Sequence, residues 1–230
     1  MPNWCEQDLF VHDPQCGVND GQSARLEQFE RYAAYTLEDG TEVPLSAQRF
    51  VPMPDDLMVP SGGMSDVWLV WHGSDEAIEK ILTQPRFQNS ENPPRNREEL
   101  KEFWNQRGMI TEFDTGKEWT PKELADQYEH NLQNYGHMDW YSWARDNWGT
   151  KWGIVEPQLV EEDDEMLTYF FVSAWSPAEL VVLAMSEAFP DLQFELVWFE
   201  AGMGVNGKME FYAREKQLDE SGKYFGHRGG

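Results

Sequence analysis

The sequence predicts an α+β fold, a split βαβ sandwich that carries a largely helical insertion. Two observations support this. The last third of the chain changes period in the order strand, strand, helix, strand, strand. The first fifty residues supply one strand and one helix, and a stretch of different character separates the two parts.

Residues 3–12 read as the first strand, with Trp4, Leu9 and Val11 as apolar anchors, and Asp13-Pro14 ends it. Ser23 to Tyr35 reads as a helix whose stripe is Leu26, Phe29 and Ala33. Arg49 to Pro54 is predicted to be extended, because a proline biases the residue before it away from helix. Residues 1–54 thus form the first β-α part.

Residues 55–138 read as the insertion. Val67 to Trp71 is expected to be a short apolar strand or packed loop. Ser74 caps a helix from Asp75 to Thr83, with Ile78, Ile81 and Leu82 facing inward. Pro85 to Pro94 reads as a linker. Asn96 and Glu99 open a helix carrying Leu100, Phe103 and Trp104, closed by Gly108. Thr120-Pro121-Lys122-Glu123 opens another, with Leu124, Tyr128 and Leu132 on one side and Gly136 at its end.

Residues 139–216 complete the sandwich. Asp139 to Trp148 reads as a helix, Thr150 to Val160 as a strand, and Glu161 to Glu165 as a five-acid hairpin loop. Met166 to Trp175 is a strand rich in aromatic and branched residues. Ser176-Pro177-Ala178-Glu179 opens a helix with Leu180, Leu183, Ala184 and Ala188, which stops before Pro190. Leu192 to Glu200 alternates as a strand. Asn206-Gly207 is a hairpin signal, and Lys208 to Ala213 is an extra edge strand. Residues 217–230 read as a flexible tail. The order is that of a ferredoxin-like sandwich. The term describes topology alone, since two cysteines cannot hold an iron–sulfur cluster.

Charge limits the function. There are 42 acids against 18 lysines and arginines, a formal net charge of -24. Duplex DNA carries about one negative charge per 1.7 Å, so bare nucleic acid is an unsuitable partner. No Lys or Arg occurs between Lys151 and Lys208, whereas eleven acids do. Thirty-two aromatics, eleven of them Trp, argue for a packed core and against an acidic disordered chain. Cys5 and Cys16 are too few for a disulfide framework and fit a reduced, cytoplasmic setting. No apolar run reaches the roughly 18 residues of a membrane span. Met1-Pro2-Asn3-Trp4 has no signal-peptide pattern.

Several short blocks occur in a characteristic order: Met1-Pro2-Asn3-Trp4-Cys5, Phe50-Val51-Pro52-Met53-Pro54, Asn147-Trp148-Gly149-Thr150-Lys151-Trp152, Ala174-Trp175-Ser176-Pro177 and Ser186-Glu187-Ala188-Phe189-Pro190, then Phe194 and Glu200. Together they resemble the YubB-like, or Api-like, ferredoxin-fold proteins of bacteriophages and conjugative plasmids. The resemblance covers mostly 1–54 and 140–212. It departs from the family pattern at Gly153 and Ala178, where that pattern has an acid or Asn and a second proline. It implies the ferredoxin-like fold and a mobile-element accessory protein in a bacterial cytoplasm, without an enzymatic mechanism.

No catalytic, cofactor or metal site is predicted. Gly202-x-Gly204-x-x-Gly207 resembles a dinucleotide fingerprint but lacks the following helix that would hold a pyrophosphate. His12, His72, His130, His137 and His227 form no ligand motif. Trp140, Trp143, Trp148 and Trp152 lack the basic groove of a base-stacking platform. The expectation is a non-enzymatic acidic protein that occupies a basic surface of a host protein or nucleoprotein complex. This would be inhibition of the anti-CRISPR or anti-restriction kind by DNA mimicry, with Glu161, Glu162, Asp163, Asp164, Glu165 and Glu195 as contributors. Simple solubility, an oligomerising structural module, and a small-molecule enzyme sited at the insertion are the alternatives.

Overall fold

The computed structural model describes residues 3–16, 23–62, 65–112 and 115–223. Its elements run β1 (Trp4–His12), α1 (Ala24–Ala33), β2 (Tyr35–Thr36), β3 (Glu42–Val43), α2 (Ala47–Phe50), α3 (Ser65–His72), α4 (Asp75–Leu82), α5 (Pro85–Gln88) and α6 (Arg97–Gln106). They continue with β4 (Ile110–Thr111), β5 (Glu118–Trp119), α7 (Pro121–Tyr135), α8 (Trp140–Asn147), β6 (Val155–Glu162), β7 (Met166–Ala174), α9 (Glu179–Ala188), β8 (Gln193–Glu200), β9 (Val205–Tyr212) and β10 (Glu215–Lys223). A 3-10 turn occupies Asp55–Leu57. The chain divides into two compact units, 1–52 with 144–230, and 53–143.

The first unit is a six-stranded sheet in the order β10-β9-β8-β1-β7-β6. Every pair is antiparallel. The four strands β8-β1-β7-β6 have the ferredoxin-like arrangement, in which each helical crossover skips one strand. β1 lies at the centre, and its alternation sorts its residues. Cys5, Gln7, Leu9 and Val11 are buried on one side, while Trp4, Glu6, Asp8, Phe10 and His12 point to the other. The buried side receives α1, whose Phe29 ring lies 6.2 Å from Tyr169 and 5.5 Å from Phe194. The Phe189 ring, just after α9, closes on Phe29 at 5.2 Å.

Gln7 decides how α9 begins. Ser176-Pro177 predicts a local cap, yet no side chain of the helix's own N-cap residue caps it. Ser176 instead donates its hydroxyl to the Gly149 carbonyl at 2.7 Å. The cap comes from β1: the Ala178 amide donates to Gln7 Oε1 at 2.8 Å, and Gln7 Nε2 donates to Ser173 Oγ at 2.7 Å.

A second buried group positions the acidic hairpin between β6 and β7. Asp13 accepts from Ser23 Oγ at 2.5 Å and pairs with Arg25 at 2.9 Å. Its own amide donates to Glu165 O at 3.2 Å, and the Ser23 amide donates to Asp164 O at 3.1 Å. Burial pushes the Asp13 carboxyl up. The hydrogen bonds from Ser23 and Gln15 and the Arg25 guanidinium outweigh this and hold it below the ordinary carboxylate range.

The second unit is helical, with two small hairpins. Its core gathers Val67 and Val70 of α3, Ile81 of α4, Phe87 of α5, Leu100 of α6 and Leu124 of α7. α7 starts at the capping box expected from Thr120 and Glu123 and ends at Gly136 in the left-handed conformation.

Several expectations are corrected. Val67 to Trp71 is neither strand nor loop but most of α3, because Val67 and Val70 must share the buried side of a helix. The expected linker holds α5, anchored by buried Phe87. Arg49 and Phe50 end the short helix α2, and the chain extends only from Val51, the residue that Pro52 constrains. Asn206-Gly207 lies inside β9. The turn falls at 201–204, where Gly204 has a φ of 63°. Residues 217–223 belong to β10 and are not a free tail; the remainder of that tail, 224–230, lies outside the described residues. β10 escapes a sequence reading because its residues are mostly polar. Its hairpin turns on Ala213 and Arg214, with φ of 50° and 72°, without the usual Gly or Asn. The strand expected over Thr150–Val160 runs instead as Val155–Glu162, after the bend at Gly153.

Gln7→Ala leaves the Ala178 amide without its acceptor and removes the donor to Ser173 Oγ, and is expected to cost about 1–3 kcal/mol in denaturant unfolding. Asp13→Asn is expected to lose about 1–3 kcal/mol near neutral pH. Because the folded Asp13 pKa lies below its unfolded value of about 3.9, its stabilisation is present above that value and disappears as pH falls through the folded one. The difference between wild type and Asp13→Asn should therefore shrink on acidification below about pH 4.

Candidate functional site

The sheet face opposite α1 and α9 gathers most of the chemistry. Strand register fixes its rows. Phe10 lies between Glu195 and Thr168, and Glu195 is followed by Glu210 and then Leu218, while Thr168 is followed by Glu161. In the next row Asp8 lies between Val197 and Phe170, with Lys208 and Glu220 beyond Val197 and Gln158 beyond Phe170. In the third, Glu6 lies between Phe199 and Val172. Six carboxylates therefore alternate to this face from the strands, Glu6, Asp8, Glu161, Glu195, Glu210 and Glu220, on ground supplied by Phe10, Phe170, Phe199, Val172 and Val197. Among the described residues in these rows, Lys208 is the one lysine or arginine.

The five-acid run is divided by the structure. Glu161 pairs with Thr168 and takes the acidic face, whereas Glu162 pairs with Leu167 and takes the helix-covered face. There Glu162 lies close enough to Glu30 of α1 to help raise its carboxyl pKa, after burial itself. Asp163 holds the turn: its Oδ1 accepts from the Glu165 amide at 2.9 Å and the Met166 amide at 2.7 Å. Asp164 and Glu165 are exposed at the tip. Glu195 is on the acidic face but is shared with Lys208, whose Nζ lies 2.9 Å from both Glu195 and Glu210. Hydrogen bonds to Glu210 and Glu195 raise the Lys208 pKa, so it stays charged and neutralises part of this row.

Glu6, Asp8, Phe10, Phe170, Phe199 and Glu210 were not anticipated from sequence. The signal was present in β1: with Leu9 and Val11 as core anchors, alternation alone sends Glu6, Asp8 and Phe10 to the opposite face. Thr168 lies in the first row beside Phe10, and its buried hydroxyl has no hydrogen-bond partner among the described residues.

Other candidates resolve differently. Gly202 to Gly207 spans a turn and the start of a strand. The buried Glu200 carboxylate accepts from the Gly202 amide at 2.8 Å and the Met203 amide at 2.6 Å. Gly207 is needed because the Trp198 indole lies over it: an added Cβ would approach the indole to 2.6 Å. Burial, and then Glu200, push the Cys5 thiol up to about 12, so it is not a thiolate near neutral pH. His72 sits 3.0 Å from Asp126 and His130 3.3 Å from Asp56. Among the described residues no three His, Cys, Asp or Glu side chains gather to hold a metal. Trp143 and Trp148 are buried, and the Trp148 indole donates to Val51 O at 2.9 Å. A depression of about 460 Å³ beside α1 is lined by Arg25, Tyr32, Phe189 and Asp191, and its guanidinium is already engaged by Asp13. No helix among the described residues is long and apolar enough to cross a membrane.

No curated protein matches the chain. A solved structure, that of Api92 from Yersinia pseudotuberculosis, aligns over 99% of each chain at 14% identity with a TM-score of 0.41. Residues 156–223, which run from β6 to β10, match the family model described as the ferredoxin-like domain in Api92-like protein. The segment that completes the sheet is thus similar to the ferredoxin-like domain of Api92-like proteins.

Proposed function

We propose that this is a non-enzymatic binding protein whose sheet face captures a basic surface on a protein or nucleoprotein complex. The observation that carries this reading is the make-up of that face: six carboxylates against one lysine, interleaved with Phe10, Phe170 and Phe199. A purely solvated face would have no need of the aromatics. They supply the apolar area that gives an interface its core, and the acids supply steering and selection of a basic partner. A nucleic acid presented to the same face would meet an excess of like charge. In a phage or plasmid setting, which the family resemblance implies, the matching partner is a host defence complex with a basic nucleic-acid channel. The carboxylates would then stand in for phosphates, and binding would exclude nucleic acid by competition.

Neighbouring residues on opposite faces provide the test. The double variant Asp8→Lys/Glu161→Lys is expected to reduce capture of the partner in a low-salt pull-down about ten-fold or more. Glu162→Lys, one residue away on the helix-covered side, is expected to leave it near wild type. Capture by wild type should also fall steeply with added salt. Equal loss from both variants would replace a defined face with a general charge effect.

A further inference from the structure

The six-stranded sheet ends on β6 at one side and β10 at the other, and the two edges are built differently. β6 is closed to a further strand. Pro157 has no amide to donate, and Glu156 sits at a φ of 51°. Its pairing with β7 breaks between Val155 and Gln158 and again between Leu159 and Glu161. Such devices stop an edge from pairing with another chain. β10 has fewer. Its pairing with β9 shifts once, between Lys216 and Leu218, and then runs unbroken from Leu218 to Lys223, without a proline or a left-handed residue. In an antiparallel sheet the amides and carbonyls of alternate residues on an end strand point away from its neighbour. Among the described residues nothing pairs with that side of β10. About 20 Å of regular backbone is left there.

β10 does little for the core. Eight of its nine residues are exposed, and Leu218 is half-buried. It covers the edge of β9 only by presenting its own. Its side chains are nevertheless sorted by charge. Glu215, Leu218, Glu220 and Gly222 pair with Tyr212, Glu210, Lys208 and Asn206, which puts them on the acidic face. Lys216, Asp219, Ser221 and Lys223 take the helix-covered side, where Lys216 is held by Glu179 and Asp219 at 2.8 and 2.5 Å. On the acidic face β10 thus offers a carboxylate on either side of Leu218 and no lysine or arginine. Neither Glu215 nor Glu220 is in an ion pair among the described residues, and Lys208, across from Glu220, is held by Glu195 and Glu210.

We propose that β10 is a strand-addition edge, and that its occupant is an extended basic segment of the partner, which joins the sheet as a seventh strand. This rests on the reading of the sheet face as a docking surface for a basic partner, and extends that surface from side chains to backbone. Main-chain hydrogen bonds to β10 supply affinity, and alternate side chains supply selection. Charge decides the occupant. Opposite charges across a strand pair attract and like charges repel. A strand with arginine or lysine on the acidic-face side meets Glu215 and Glu220, whereas a second copy of β10 would bring the same two carboxylates to the seam.

The test uses the full chain and a labelled peptide alternating arginine with threonine, a basic sequence of high strand preference. Two further forms carry N-methyl groups, one on the arginine amides and the other on the threonine amides. Charge is unchanged in both, but each loses the hydrogen-bond donors of one strand edge. One methylated form is expected to bind at least about ten-fold more weakly than the parent, and the other within about two-fold of it, because only one peptide edge faces β10. Hydrogen exchange at alternate amides of 218–223 should slow on binding, with no change in β6. A twin peptide alternating glutamate with threonine should not bind. If the methylated forms bind alike, or exchange in β10 is unchanged, strand addition is wrong while the acidic docking face stands. Equal binding of the glutamate peptide would overturn the basic occupant. If the arginine peptide does not bind even at low salt, the docking reading falls and this inference with it. A doubled mass in light scattering, with β10 protected in the free chain as concentration rises, would assign the edge to a second copy and overturn the inference.

Discussion

The buried amide of Gln7 joins three elements that are distant in sequence. It sits on the central strand, donates to Ser173 on β7, and accepts from the amide of Ala178, the N-cap residue just before α9. A buried amide left unpaired is costly, whereas a paired one fixes geometry. Here it determines where α9 starts, and α9 with α1 determines which face of the sheet is covered. Once Cys5, Gln7, Leu9 and Val11 are committed to that side, the pleat leaves no choice for their neighbours. Trp4, Glu6, Asp8 and Phe10 must take the other face. The acidic face is thus a consequence of how the core is built.

The charge excess is unevenly used. Asp13 is consumed in holding the chain beside the 163–166 turn, and Asp163 in shaping that turn. Glu195 and Glu210 share Lys208. Glu179 and Asp219 share Lys216 on the helix-covered side, at 2.8 and 2.5 Å. A formal sum of -24 says nothing of this. The carboxylates of the acidic face are held on strands, and groups held rigidly have less freedom to lose than groups on a loop.

The helical unit has its own fastening. Asn131 of α7 is fully buried, and its Nδ2 donates to Asp56 O at 2.9 Å and Met138 O at 2.8 Å. One side chain therefore holds both ends of the unit to the same helix. A segment whose ends are held together can be carried in a connection between a helix and a strand without disrupting either. The Tyr128 hydroxyl reinforces this by donating to Pro60 O.

By itself the sequence determined the ferredoxin-like order, because periodicity, proline and capping are local. Phe29 on its helical stripe, the Thr120–Glu123 box and the alternation of Phe194, Leu196 and Trp198 all act within a few residues. It also named Glu161 and Glu195, which alternate to the acidic face, though without separating Glu161 from Glu162, since a bulge between β6 and β7 decides which face each takes. Only the tertiary structure decided the cap on α9, the turn on Ala213 and Arg214, and the strand β10. Each depends on a partner or a backbone conformation with no local signature. It also brought Trp4, Trp152 and Trp175 to one end of the sheet, because strand pairing makes neighbours of residues about 170 positions apart.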